Sequence, residues 1–219
     1  MPTPIPEIRG ISIVITGQFN PTIFQPQWFS TEGLLTGAEA DSATIQIIHP
    51  DVAAFELPWL SIQVQRERFQ ATCISQPHFE RVAALVCDAF ELLRHTPLRM
   101  LGINHEAHYR ASTLEKWHEL GHMMAPKEFW RQFFASPGLQ NLSIRQIPRE
   151  DEETGYKQVT IEPSVKVRPG VYIAFNDHFQ GEDENAVLGA PKIIELVRNN
   201  WGPSLQLSEH VFAKITEHL

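Results

Sequence analysis

From Leu60 to Cys73 apolar and polar residues alternate. Leu60, Ile62 and Val64 interleave with Ser61, Gln63 and Gln65, and Phe69, Ala71 and Cys73 resume the period after the charged turn Arg66-Glu67-Arg68. Successive side chains of a strand point to opposite faces, so a period of two demands a sheet with one buried and one wet face. An antiparallel sheet can expose a face in this way.

The rest of the chain is read around that sheet. A proline-rich leader, Met1-Pro2-Thr3-Pro4-Ile5-Pro6, precedes Ile11 to Thr16, a strand bounded by Gly10 and Gly17. A short helix is expected around Trp28, Phe29 and Leu34, then a strand from Ala43 to His49. From His78 to Leu93 the spacing turns helical, with Phe79, Val82, Ala83, Val86, Phe90 and Leu93 three or four apart.

Met100 to Tyr109 opens the second half as a strand. Helices are expected from Ser112 and from Pro126, the latter carrying Phe129, Trp130 and Phe133. Strands follow at Leu142 to Ile147, Gln158 to Val165 and Val171 to Phe175, and two helices, Ala190 to Asn199 and Ser208 to His218, end the chain. Glu150 to Glu153 and Glu182 to Asn185 read as acidic, solvated loops. The expected fold is α+β: two similar halves, 1–97 and 98–219, each strand, helix, antiparallel strands, helix. They form a sheet with helices packed mainly on one face.

Of the 219 residues 42% are apolar and 20% charged, as a packed globular chain requires. The net charge of −8 argues against non-specific binding to nucleic acid or an anionic membrane. Cys73 and Cys87 lack C-x-x-C spacing and read as reduced, buried thiols. With no secretory leader pattern and no apolar run long enough for a membrane span, a cytoplasmic location is expected.

His118-Glu119-Leu120-Gly121-His122 matches the zinc-protease pattern H-E-x-x-H, in which two histidines one helical turn apart share a metal and the glutamate activates its water. A capping box, Ser112 with Glu115, starts this helix. Its phase turns Leu114, Trp117, Leu120, Gly121 and Met124 inward, leaving His118 and His122 at the margin and Glu119 toward solvent. Glu128 is the candidate third ligand, although Pro126 intervenes. No metal or catalytic residue is therefore favoured; the alternative is a zinc hydrolase using His118, Glu119, His122 and Glu128.

His105 and His108 face opposite ways on their strand, His105 with the core residues Leu101, Ile103 and Ala107, His108 with the polar Asn104, Glu106 and Arg110. Asn176-Asp177-His178 reads as strand-end turn chemistry. No nucleotide-binding glycine loop and no G-x-S-x-G occurs, so no nucleotide cofactor is expected. The five dispersed tryptophans are assigned to the core or to an oligomer seam.

Four stretches together resemble a sporadically distributed bacterial family with no established activity. They are Gly17-Gln18-Phe19-Asn20-Pro21, Leu101-Gly102-Ile103-Asn104, Leu120 through Lys127, and Val171 to His178. The resemblance implies no catalytic residues. It places Gly121, Pro126 and Trp130 in a structural turn and suggests a mobile-element or defence setting. The expected function is non-enzymatic association, as a homo-oligomer or as an accessory subunit with a protein partner.

Overall fold

The computed structural model describes residues 4–151, 153–183, 186–217 and 219. Met1 to Thr3 of the leader, Glu152, Glu184 and Asn185 of the acidic loops, and His218 of the last expected helix lie outside the described residues.

The elements in chain order are β1 (Ile8–Gly17), α1 (Pro26–Thr31), α2 (Gly37–Ser42), β2 (Thr44–His49), β3 (Val52–Glu56), β4 (Ser61–Gln65), β5 (Arg68–Cys73) and α3 (Phe79–Leu92), followed by β6 (Leu98–Arg110), α4 (Leu114–Met124), β7 (Leu142–Gln146), β8 (Gly155–Pro163), β9 (Gly170–Phe179) and α5 (Gly189–Thr216). The strands form one nine-stranded sheet in the order β2-β3-β4-β5-β1-β6-β9-β8-β7. Every pairing in it is antiparallel.

Two neighbouring rows across the strands separate the faces. Phe55, Ile62, Ala71, Ile13 and Ile103 stand side by side and are fully buried. One residue along, the row is Ser61, Thr72, Ser12, Asn104, Asn176, Gln158 and Arg145. The first row carries the core and the second the wet face foreseen from the alternation in β4 and β5.

The helices cover the apolar face. α3 lays Phe79, Val82, Val86 and Phe90 against it, where Phe90 meets Phe69 edge to face with ring centroids 5.1 Å apart. A second apolar cluster joins Leu120 of α4 to Ala107, Ile161, Ile173 and Phe175 of the sheet and to Phe212 and Ile215 of α5. Ala190 to Trp201 of α5 belong to the larger cluster with α3, so this one helix spans both. α5 is continuous through Pro203, where two separate helices were expected. Burial of Ile193, Ile194, Leu196 and Val197 before the proline and Phe212 and Ile215 after it outweighs the lost backbone hydrogen bond, about 3 kcal/mol.

Two other expectations fail. β3 is an additional strand, short and carrying two alanines, without the alternation that marks β4. Past Pro126 there is no α-helix, only a 3-10 turn at Trp130–Gln132. Phe129, Trp130, Phe133 and Phe134 stay 47–63% exposed there, so that segment has no buried face to stabilise a helix.

Glycine is required where β8 begins. Gly155 has φ +140, and a Cβ at this position would collide with the His178 carbonyl of β9. Among the described residues no helix is long and apolar enough to cross a membrane. Cys73 and Cys87 are buried and unpaired.

Candidate functional site

α4 begins one residue later than expected. Thr113, not Ser112, is its N-cap, accepting from the Lys116 amide at 3.2 Å. Ser112 is out of position because its hydroxyl donates to the Leu219 carbonyl. Leu120 is 3% exposed and anchors the helix, and the Trp117 indole donates to the Gly170 carbonyl at 2.8 Å. Leu114, expected on the buried stripe, is 54% exposed.

The C-terminus of α4 is closed by Lys127, whose ammonium donates to the Gly121 carbonyl at 2.8 Å and to the Ala125 carbonyl. A cation there complements the helix dipole, and burial pushes the Lys127 amine below its ordinary value.

A groove of about 800 Å³ runs between α4, the segment 135–139 and β8. His118, Glu119 and His122 all border it. Their present contacts are with neighbours on the same segment. His118 packs edge-on against Trp117 at 5.0 Å, Glu119 is ion-paired with Lys116 at 2.9 Å, and His122 Nε2 meets Glu128 Oε1 at 3.0 Å. Among the described residues no three His, Cys, Asp or Glu side chains gather into a set that could hold a metal.

The segment between α4 and β7 carries the largest exposed aromatic group. Phe129 lies 5.3 Å from Trp130 and 5.5 Å from Phe133, centroid to centroid. β7 pairs on one side only, with β8, and presents Ile144 at 60% exposure. The sequence held these aromatics in a helix, so their exposure was not legible.

The other singled-out residues fall into place on β6 and β9. His105 is 1% exposed between Phe175 and Trp201, with Nε2 3.1 Å from Ser204 Oγ of α5. Burial holds its imidazole down at about 4. His108 is on the polar face yet only 3% exposed, because the turn after β8 covers it and Ser164 Oγ lies 2.8 Å from its Nδ1.

Asn176, Asp177 and His178 lie inside β9 rather than in a turn, which corrects the expectation. Asp177 is buried on the helix side against Arg149, while Asn176 and His178 look onto the wet face. The tryptophans divide: Trp59 and Trp201 are buried, Trp28 and Trp117 are half-buried, and Trp130 is exposed. No family model and no curated protein matches this chain.

Proposed function

We propose that this chain works by self-association, as a non-enzymatic subunit of a cytoplasmic homo-oligomer. The observation that carries the reading is the aromatic segment Phe129, Trp130, Phe133 and Phe134, 47–63% exposed, in the stretch of chain that leads into the edge strand β7. Contiguous exposed apolar surface marks interaction sites, and aromatic side chains are the usual anchors of interfaces. An unpaired edge strand adds backbone donors and acceptors that a second copy can match. Burying what remains exposed of four such rings contributes roughly 1 kcal/mol or more apiece.

The same proposal extends to the two halves, 1–97 and 98–219, as copies of one unit. Support comes from the strand order: outward from the central pair, β1 is followed by β5, β4, β3 and β2, and β6 by β9, β8 and β7. Light scattering on the eluted protein tests the association. We expect a dimer or larger species that becomes monomeric in the double variant Phe133→Ser/Phe134→Ser. A wild-type monomer at high micromolar concentration defeats the reading.

A second reading, a zinc-dependent hydrolase, is favoured only by His118, Glu119 and His122 bordering one groove. Glu128, its candidate third ligand, already lies 3.0 Å from His122 Nε2, while Glu119 would have to leave Lys116. Stoichiometric zinc in the purified protein that is lost in His118→Ala would establish it over the first.

A further inference from the structure

The helix-free face of the sheet holds a cavity of about 420 Å³ over β1, β6 and β9, inside the size range of small-molecule sites. Its floor lies at Gly102. The cross-strand row through that position is Val14, Gly102, His178 and Tyr156, so the missing side chain opens a gap beside the His178 ring. We propose that this trough binds a neutral polyhydroxylated small molecule, a mono- or disaccharide, seated over Gly102.

Four features of the trough argue for it. First, the polar groups around the gap are dense and half-buried although no helix covers them: Ser12, Thr16, Asn104, Glu106, Tyr172 and Asn176. Second, several are held in place. The Asn104 amide donates to the Ser12 carbonyl at 3.3 Å and the Gly102 carbonyl at 3.4 Å, and the Tyr172 hydroxyl donates to Glu106 at 3.1 Å. Burial and the Glu106 carboxylate hold the Tyr172 phenol protonated, far above its ordinary range. Such preorganisation reduces what binding must order.

Third, the buried atoms Thr16 Oγ1 and Asn176 Oδ1 have no protein partner. Both residues line the cavity, and buried polar atoms are nearly always paired, so a ligand's hydroxyl groups would supply the missing partners once these two side chains turn toward it. Fourth, the charge balance fits a neutral guest. Arg68 and Glu106 are the two formally charged side chains in the lining, and they cancel. Burial also lowers the His178 imidazole, keeping it uncharged at neutral pH.

The aromatic wall selects a sugar over a nucleobase. β8 lies between β7 and β9, and Tyr156 has Arg145 of β7 over it at 4.0 Å and His178 of β9 stacked at 4.4 Å. Both faces of the phenol ring are thus taken. Of the other rings in the lining, His178 keeps one imidazole face toward the gap and Tyr172 packs against His108 at 4.8 Å with its hydroxyl on Glu106, a set that suits the C–H face of a sugar better than sandwiching a base. This inference goes beyond self-association and does not depend on it.

Gly102→Ala supplies the test, because the added Cβ would sit 3.5 Å from Asn104 Nδ2 and 3.6 Å from Asn176 Oδ1. Those are ordinary contacts, so the variant folds while its methyl fills the floor. The probes are glucose, galactose, mannose, N-acetylglucosamine, maltose and cellobiose, with adenosine and inorganic phosphate as controls. Binding is read by calorimetry and saturation-transfer NMR. We expect saturable binding of at least one sugar, weakened about tenfold or more in Gly102→Ala and in Asn176→Leu. No sugar binding, equal binding to Gly102→Ala, or preference for adenosine or phosphate overturns the proposal. Melting curves of both variants confirm that any loss is local.

Discussion

Replacing Arg149 by methionine should destabilise the protein more than almost any other single polar substitution. The Arg149 side chain is 0% exposed. Its Nε and Nη2 donate to the two Asp151 oxygens at 2.7 and 2.6 Å, and Nη1 donates to Asp177 at 2.5 Å and to the His178 carbonyl at 3.1 Å. The guanidinium also lies 4.0 Å from the centroid of the Phe179 ring. Asp151 is 35% exposed and rehydrates when Arg149 is removed, but Asp177 is 3% exposed and cannot. Stranding one partner of a buried pair costs about 3–5 kcal/mol. At roughly 2–4 °C per kcal/mol for a chain of this size, the melting point falls by about 6–20 °C.

Urea unfolding followed by tryptophan fluorescence measures the loss. The double variant Arg149→Met/Asp177→Leu removes the stranded carboxylate and should recover at least about 2 kcal/mol over the single variant. A single-variant loss below about 1 kcal/mol, or a double variant as unstable as the sum of its parts, would refute the reasoning.

Two pH predictions occupy separate windows. His105 has a folded value of about 4 against about 6.5 unfolded, so the unfolded chain takes up its proton first. Stability from this group is complete above about pH 6.5 and is lost as pH falls toward 4, by about 3 kcal/mol in all. His105→Leu should flatten that slope; an identical slope in both proteins would count against a buried neutral imidazole. Glu39 accepts two bonds from Arg81 at 2.7 and 2.8 Å, which hold its carboxyl down at about 2. Its contribution is present above the unfolded value and lost as pH falls through about 2. Since Arg81 is 40% exposed, screening limits Glu39→Gln to about 1 kcal/mol at pH 7, and less at pH 3; an equal loss at both would detach the effect from the ion pair.

The parts of the fold legible in the sequence are those whose burial is one-sided. β1, β4, β5 and α3 show their period because one face meets the core and the other meets water. β3 was hidden because Val52-Ala53-Ala54-Phe55 is buried at three successive positions and offers no alternation. α5 was split because Gly202-Pro203 is a local stop signal, overridden by apolar packing on either side. The helix phase of His118 to His122 was readable, whereas their neighbours Lys116 and Glu128 acquire meaning only from the contacts they make in the fold. The polar trough was legible as a wet face but not as a cavity, since register alone aligns Ser12, Asn104 and Asn176.

The strand pair β6 and β9 shows why that register is unambiguous. Asn104 and Asn176 face each other on the wet side, while His105 with Phe175 and Ile103 with Asp177 face each other on the packed side. A slip of one strand by a single residue would exchange these sets. A slip of β6 would bury Asn104, pull Ile103 and Ala107 into water and separate His105 from Ser204. A slip of β9 would bury Asn176, expose Ile173 and Phe175 and separate Asp177 from Arg149. Those two partners make His105 and Asp177 tolerable in an apolar layer. The two polar groups on the packed side therefore lock the parity that the apolar residues set, and the same parity presents Asn104 and Asn176 to the trough. If this is so, Arg149→Met/Asp177→Leu, which keeps the apolar parity, retains sugar binding, and a double variant that folds but loses it would show that the buried pair positions the trough directly.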